Sequence, residues 1–382
     1  MAMFNLTLVS PILPELVEGF DLSELAIGAF TSAEMVAYVV FAPIWGAASD
    51  RRGARRPLVL LGLGASAPLF ALMPSVPSFP ALLMLRFVQG AFTVAAWSLA
   101  MTMALDWAGA GDRGRTMGIL GGGMMLGMAM GAPVGGMVGE RGGTPVPFYV
   151  AAGVFAFALL LAASLLREPR IEVGRGRPMG DILGRLKGHR ELWIPCAYSF
   201  VDRFTAGFFI TLFPVMLLRS FDFPAGLRGL YLGIFFLPFA LFQYPFGRLI
   251  DRLGPLPFII GGSVFYGCVM VTVARLDPGP LAGAMFVLGA LAASLLPASL
   301  VLVARMSTPA IHGVAMGMFN AMGSVGFAVG LLASGAMGDA WGHQAAFTAG
   351  GLSVLVVVAV TAVPLLLRHG GGQARTGGRE PA

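Results

Sequence analysis

The chain has 382 residues, of which 57% are hydrophobic and 12% charged, with a mean hydropathy of +0.82. A soluble domain carries about 25% charged residues, so this sequence cannot clothe a water-facing surface and its solvent is a bilayer. The net charge of +6 comes from basic residues dispersed among connecting segments, which excludes a nucleic-acid-binding patch.

A membrane-spanning helix needs ~20 mostly apolar residues. Twelve such runs are legible, at 2–17, 26–48, 58–76, 80–104, 116–139, 147–166, 193–217, 229–250, 258–274, 281–304, 314–337 and 345–367. They lack the alternation of barrel strands, so an all-α membrane protein of twelve transmembrane helices is expected. With both termini on the cytoplasmic side, 19 of the 25 basic residues fall in inner segments and four in outer loops, the bias of the positive-inside rule.

In chain order, span 1 opens at Met1 without a basic flank, so no cleavable signal peptide is expected. A true initiator upstream of Met1 is an alternative that mass spectrometry of the native N-terminus decides. Asn5, Thr7 and Ser10 lie on this span and are candidates for substrate contact. Span 2 carries Glu34 within an apolar run and ends in GAASDRRGARRP, residues 46–57. Span 4 contains LRFVQGAF, with Arg86, Gln89 and Gly90, then Trp97, and it ends at Asp106. Span 5 holds GMAMGAPVGG, residues 127–136.

A polar, basic stretch then divides six spans from six. It sets expected boundaries of an N-terminal bundle at 1–167, a cytoplasmic linker at 168–192, a C-terminal bundle at 193–370 and a disordered tail at 371–382. The linker segment DILGRLKGHREL reads equally as an amphipathic surface helix or a solvated connector. Span 7 contains YSFVDRFTAG, residues 198–207, placing Asp202 and Arg203 side by side in an apolar run beside Tyr198.

The halves repeat each other. Gly46-x-x-x-Asp50-Arg51-x-Gly53 recurs as Gly247-x-x-x-Asp251-Arg252-x-Gly254, an offset of 201, and the glycines of span 5 recur in span 11 at an offset of 199, where Glu140 meets Asp339. Small residues at fixed spacing let helix backbones approach in lipid. Two six-helix bundles related by a pseudo-twofold axis, suited to rocking about a central site, are therefore expected.

At these motifs the sequence resembles the major facilitator superfamily over nearly its whole length. GAASDRRGARRP resembles the family's loop signature, with Ala54 where a basic residue is usual. Arg86, Gln89 and Gly90 resemble its R-x-x-Q-G signature. GMAMGAPVGG resembles the glycine-proline motif of the family's drug/proton antiporters, with Pro133 one place late. The resemblance implies alternating access, with spans 1, 4, 7 and 10 lining the cavity. It also implies an inner-side gating latch of Gly46, Asp50, Arg51, Gly53, Arg55 and Arg56; the residues agree, since Asp50 ends span 2 on the side where span 11 starts, and Asp106 is a partner for Arg55 or Arg56. The helix-packing motif would be Gly127, Gly131, Pro133, Gly135 and Gly136.

Four charges sit deep in apolar runs: Glu34, Arg86, Asp202 and Arg203. Each costs at least ~2.5 kcal/mol on insertion scales unless paired or wetted, and an interior ionisable group is a functional hypothesis by default. The repeat is a control, because Arg86 aligns with Met285 and Glu34 with Phe235, so the fold does not need these charges in both halves. At ~1.5 Å per residue, Arg86 and Glu34 lie roughly 9 and 12 Å below the outer ends of their spans, close enough to meet, and Asp202 lies near mid-bilayer. Adjacent helical residues diverge by about 100°, so Asp202 and Arg203 cannot face the same way. Asp202 is the expected cavity carboxylate for a proton or a cationic group. Gln89, Trp97, Tyr198, Asn5 and Asn320 are candidates for the substrate cavity.

Cys196 and Cys268 fall inside spans, so neither a disulfide nor a metal is expected. No P-loop and no HExxH stretch occurs, which argues against ATP as motor and against a membrane enzyme. The expectation is a cofactor-free transporter driven by the proton gradient, a monomer in a bacterial inner membrane, exporting small and amphipathic molecules. Uptake of an organic anion with Arg86 and Arg203 as clamps, and a non-transporting sensor or assembly partner, are the alternatives.

Overall fold

Apolar runs in lipid satisfy their backbone groups internally, and the chain does so as helices. The computed structural model describes residues 1–20, 22–108, 112–168, 189–308 and 311–376. In chain order these form α1 (Ala2–Val9), α2 (Leu13–Glu18), α3 (Glu24–Arg52), α4 (Arg56–Leu72), α5 (Phe79–Trp107), α6 (Arg113–Gly142) and α7 (Pro145–Leu165). After the central segment come α8 (Trp193–Phe221), α9 (Ala225–Leu253), α10 (Ser263–Thr272), α11 (Pro278–Met306) and α12 (His312–Thr376). Among the described residues there is no strand, and ten helices are long and apolar enough to cross a membrane.

The ten accommodate the twelve runs in two ways. Span 1 is a shorter apolar stretch, Ala2–Leu16, broken by a 3-10 turn at Ser10–Ile12 where Pro11 and Pro14 remove backbone donors. Spans 11 and 12 join as α12, with a break at Gly342 (φ 76°). Most of the central linker, 169–188, including DILGRLKG, lies outside the described residues. Helix α12 continues to Thr376, so the first six residues of the segment expected as a disordered tail are helical, and 377–382 lie outside the described residues.

The sequence repeat is also a backbone repeat. Gly53 and Gly254 end α3 and α9 with positive φ, 61° and 81°. Gly143 and Gly342 sit at equivalent breaks, φ 82° and 76°. Helix α6 packs on α9, and α3 on α12, so each half reaches across to the other. A core cluster mixing Leu6, Met35 and Met128 with Phe209, Phe213 and Phe235 lies between the halves.

The contacts between the halves gather at one end. There Ser10 Oγ donates to the Ile210 carbonyl (2.5 Å), Ser32 Oγ to the Ala328 carbonyl (2.9 Å), and the hydroxyls of Thr31 and Thr211 lie 3.1 Å apart. A Cβ on Gly28 would come within 2.6 Å of the Leu331 carbonyl oxygen, and one on Gly136 within 2.2 Å of that of Ala225. At the end carrying Asp50, a Cβ on Gly46, Gly247 or Gly317 would meet nothing within 4 Å among the described residues. The sealed end is thus the one remote from Asp50.

Candidate functional site

Two polar sites lie in the apolar body, one in each half. In the N-terminal half Arg86 of α5 donates through Nη2 to Glu34 of α3 at 2.5 Å and through Nη1 to Gln89 Oε1 at 3.1 Å. The Arg86 and Glu34 side chains are 1% and 2% exposed. The pairing inferred from depth along the two spans is therefore present in the structure. Phe30 and Phe70 place their rings 5.0 and 5.4 Å from the guanidinium carbon, a cation–π arrangement that replaces part of its lost hydration.

The network extends further than the sequence suggested. Gln89 Nε2 donates to Thr93 Oγ1 at 2.6 Å, and Thr93 lies 3.0 Å from the Ser66 hydroxyl of α4. The Tyr38 hydroxyl donates to Glu34 Oε1 at 3.1 Å. Tyr38 is half-buried and packs against the cluster between the halves, so it joins the Glu34 carboxylate to the interface. Its position one turn after Glu34 on the same helix face was the signal available in the sequence.

In the C-terminal half Asp202 and Arg203 diverge, as helical geometry requires. Asp202 lines a small pocket with Tyr198, Ser263, Tyr266 and Ser299, closed by Val201, Leu295 and Val354, with room for about one water-sized guest. All of these residues belong to the C-terminal half, on α8, α10, α11 and α12. The face of α8 shared by Tyr198, Asp202 and Thr205 turns into its own bundle. The Tyr198 hydroxyl lies 2.8 Å from that of Thr361, and the Thr205 hydroxyl 3.3 Å from that of Tyr266. Arg203 turns toward α12, where a Cβ on Gly323 would come within 3.1 Å of its Nε. Tyr266 is 61 positions from Thr205, so no local spacing marks it.

The other candidates distribute unevenly. Asn5 donates to the Ala151 carbonyl at 3.5 Å and is buried among packing helices. Trp97 is half-buried on α5, and Asn320 is exposed on α12, donating to the Met316 carbonyl. In the loop, Arg55 pairs with Asp106 and reaches Asp50 at 3.6 Å. These contacts stay within the N-terminal half, and the Asp50 side chain is 57% exposed, so it faces solvent rather than α12. Arg51 and Arg52 are exposed. Unanticipated is Glu168, whose carboxylate accepts from the backbone N–H groups of Arg55 and Arg56 (2.7 and 2.8 Å) at the start of α4, where an anion is favoured by the helix dipole.

The packing motif lies along α1. A Cβ on Gly131 would come within 2.3 Å of the Phe4 carbonyl oxygen, and one on Gly135 within 1.7 Å of that of Leu8, whereas Gly127 meets Phe4 at an ordinary 3.4 Å. Gly136 and Pro133 face α9 instead.

Residues 1–201 and again 196–381 match the family model described as Major Facilitator Superfamily. The chain is 31% identical over 289 residues, 72% of each chain, to the tetracycline resistance protein, class G, of Vibrio anguillarum. It is 26% identical over 361 residues to the multidrug resistance protein MdtG of Proteus mirabilis (strain HI4320), covering 89% of this chain and 87% of that one. Among solved structures it resembles the nucleoside transporter NupG (TM-score 0.74, 17% identity, 94% and 96% of the two chains). It also resembles a bacterial homologue of the human lysosomal transporter Spinster, in an inward-facing and unoccupied conformation (TM-score 0.76, 16% identity, 94% and 92%). At these identities the structural likeness concerns the fold.

Proposed function

The chain belongs to the Major Facilitator Superfamily, and from that premise we propose that it is a proton-coupled exporter of small, amphipathic molecules working by alternating access. It is an integral multi-pass membrane transporter of small molecules and not an enzyme. The observation that carries the alternating-access reading is the asymmetry of the interface between the halves, sealed around Thr31 and Thr211 and open around Gly46 and Gly247. Export is supported by relatives named for tetracycline and multidrug resistance. With both termini in the cytoplasm of a bacterium and the protein a monomer in its inner membrane, the conformation is inward-facing.

Asp202 is the proposed proton carrier. It lines a pocket that admits about one water and is ringed by hydroxyl groups able to relay a proton. Glu34 is held by Arg86, and its tie to Tyr38 suits a sensor of the interface. The uptake alternative places Arg86 and Arg203 as clamps for an organic anion, and an Arg86 guanidinium 1% exposed and already paired supports it less.

The test is tetracycline transport in proteoliposomes under an imposed proton gradient. The wild-type protein is expected to move the drug against the proton flow. Asp202→Asn is expected to lose gradient-driven transport at least about tenfold, equivalent to ~1.4 kcal/mol, while still exchanging drug at equilibrium. Full proton-driven transport by Asp202→Asn removes the residue from the mechanism. Drug moving with the protons establishes uptake, and no flux of any kind establishes a non-transporting role.

A further inference from the structure

At the sealed end, two carboxylates do the same thing in pseudo-symmetric places. Asp339, late in the first arm of α12, accepts from the backbone N–H groups of Glu24 and Leu25 at 2.9 and 2.8 Å, the first residues of α3. Glu140, late in α6, accepts from the Gly226 N–H at 2.9 Å, at the start of α9. The offsets that relate the repeats carry Glu140 onto Asp339 (199) and Leu25 onto Gly226 (201). Each carboxylate therefore caps the opening turn of a helix in the opposite half, where unsatisfied N–H groups and the helix dipole favour an anion.

The surroundings are built for this contact. A Cβ on Gly226 would come within 2.2 Å of the Glu140 carboxylate, and one on Gly335, one turn before Asp339, within 2.3 Å of the Glu24 carbonyl oxygen. Glu24, 1% exposed, is held by Arg219 at 2.6 Å and His343 at 2.9 Å, again across the interface. Arg228, fully buried, pairs with Glu15.

We propose that Glu140 and Asp339 are positioning residues of the transport cycle: paired carboxylate caps that hold the halves together at the end remote from Asp50 and release them when that end opens. The repeat places Asp50 and Asp251 at the other end, at the offset of 201, and both are exposed in this state. Four acidic positions thus form two pairs, one engaged across the interface and the other exposed, with Asp50 meeting, among the described residues, only Arg55 of its own half. The inference relies on alternating access, but its readout is conformational and needs no substrate.

The test uses the full chain with Cys196→Ser, Cys268→Ser and a reporter, Thr211→Cys, at a residue 1% exposed in the sealed interface. The probe is a membrane-impermeant sulfonated maleimide. With Glu140→Gln and Asp339→Asn together, the labelling rate is expected to rise at least roughly fourfold, since each cap is worth roughly 2- to 5-fold in the sealed-to-open ratio. Asp339→Glu is expected to remain protected, because the repeat already uses Glu at the equivalent place. If the double variant does not purify as a single species, Asp339→Asn alone is read the same way, with a rise of about twofold or more. A rise below twofold, or equal labelling of Asp339→Glu and Asp339→Asn, overturns the proposal. Faster labelling with unchanged drug flux would keep the caps as contacts of the sealed state and count against alternating access through this end, not against transport itself.

Discussion

Arg86→Ala is expected to cost about 3–5 kcal/mol of stability, the typical penalty for leaving one partner of a buried ion pair uncompensated. Glu34 would keep Tyr38 but lose the charge that balances it, in surroundings where its side chain is 2% exposed. The loss also empties the space between Phe30 and Phe70. Thermal unfolding of the purified protein in detergent measures it. The informative companion is Arg86→Met with Glu34→Met, since replacing both members of a buried pair by apolar groups of similar volume is often neutral or stabilising. The double variant is expected to regain stability and not transport. A double variant as unstable as Arg86→Ala would mean that packing, not charge, is what Arg86 supplies. Restored transport would make the pair purely structural.

Gly135→Ala should be more damaging than its single methyl group suggests. The added Cβ would sit 1.7 Å from the Leu8 carbonyl oxygen, an atom of helix backbone that no rotamer change can move aside. Helices α1 and α6 would have to separate, losing the neighbouring close approach at Gly131 as well. Overpacking alone costs ~1–3 kcal/mol, and here it falls on an interface with no hydrophobic drive in lipid to restore it. The expected result is failure to recover monodisperse protein by size exclusion. Gly153→Ala on α7 is the control, because nothing lies within 4 Å of its Cβ and alanine is the better helix former by ~1 kcal/mol. Equal yields of the two variants would refute close packing as the role of the span 5 motif.

Much of this molecule could be read from the chain because the bilayer imposes strong one-dimensional rules. Runs of about 20 apolar residues have only the helix available, so the elements follow from length. The repeat offsets of 201 and 199 reappear as matched backbone breaks at Gly53 and Gly254 and at Gly143 and Gly342. Glu34 and Arg86 were paired correctly from depth, since counting residues along a straight helix measures distance across the membrane.

Rotation of a helix about its own axis is a different matter. The sequence required Asp202 and Arg203 to part, but only packing against Tyr266 and Thr205 decided that Asp202 turns into the C-terminal half. Likewise the alignment set Glu140 beside Asp339, yet their caps on α9 and α3 depend on which end of the interface is shut. The sequence determined that the apolar runs are helices and that the halves repeat, though not the break in span 1 or the joining of spans 11 and 12, because hydrophobic length and glycine spacing act along one chain. The tertiary structure decided facing and closure, because those arise from contacts between residues as far apart as Glu24 and Asp339, whose energies no local pattern encodes.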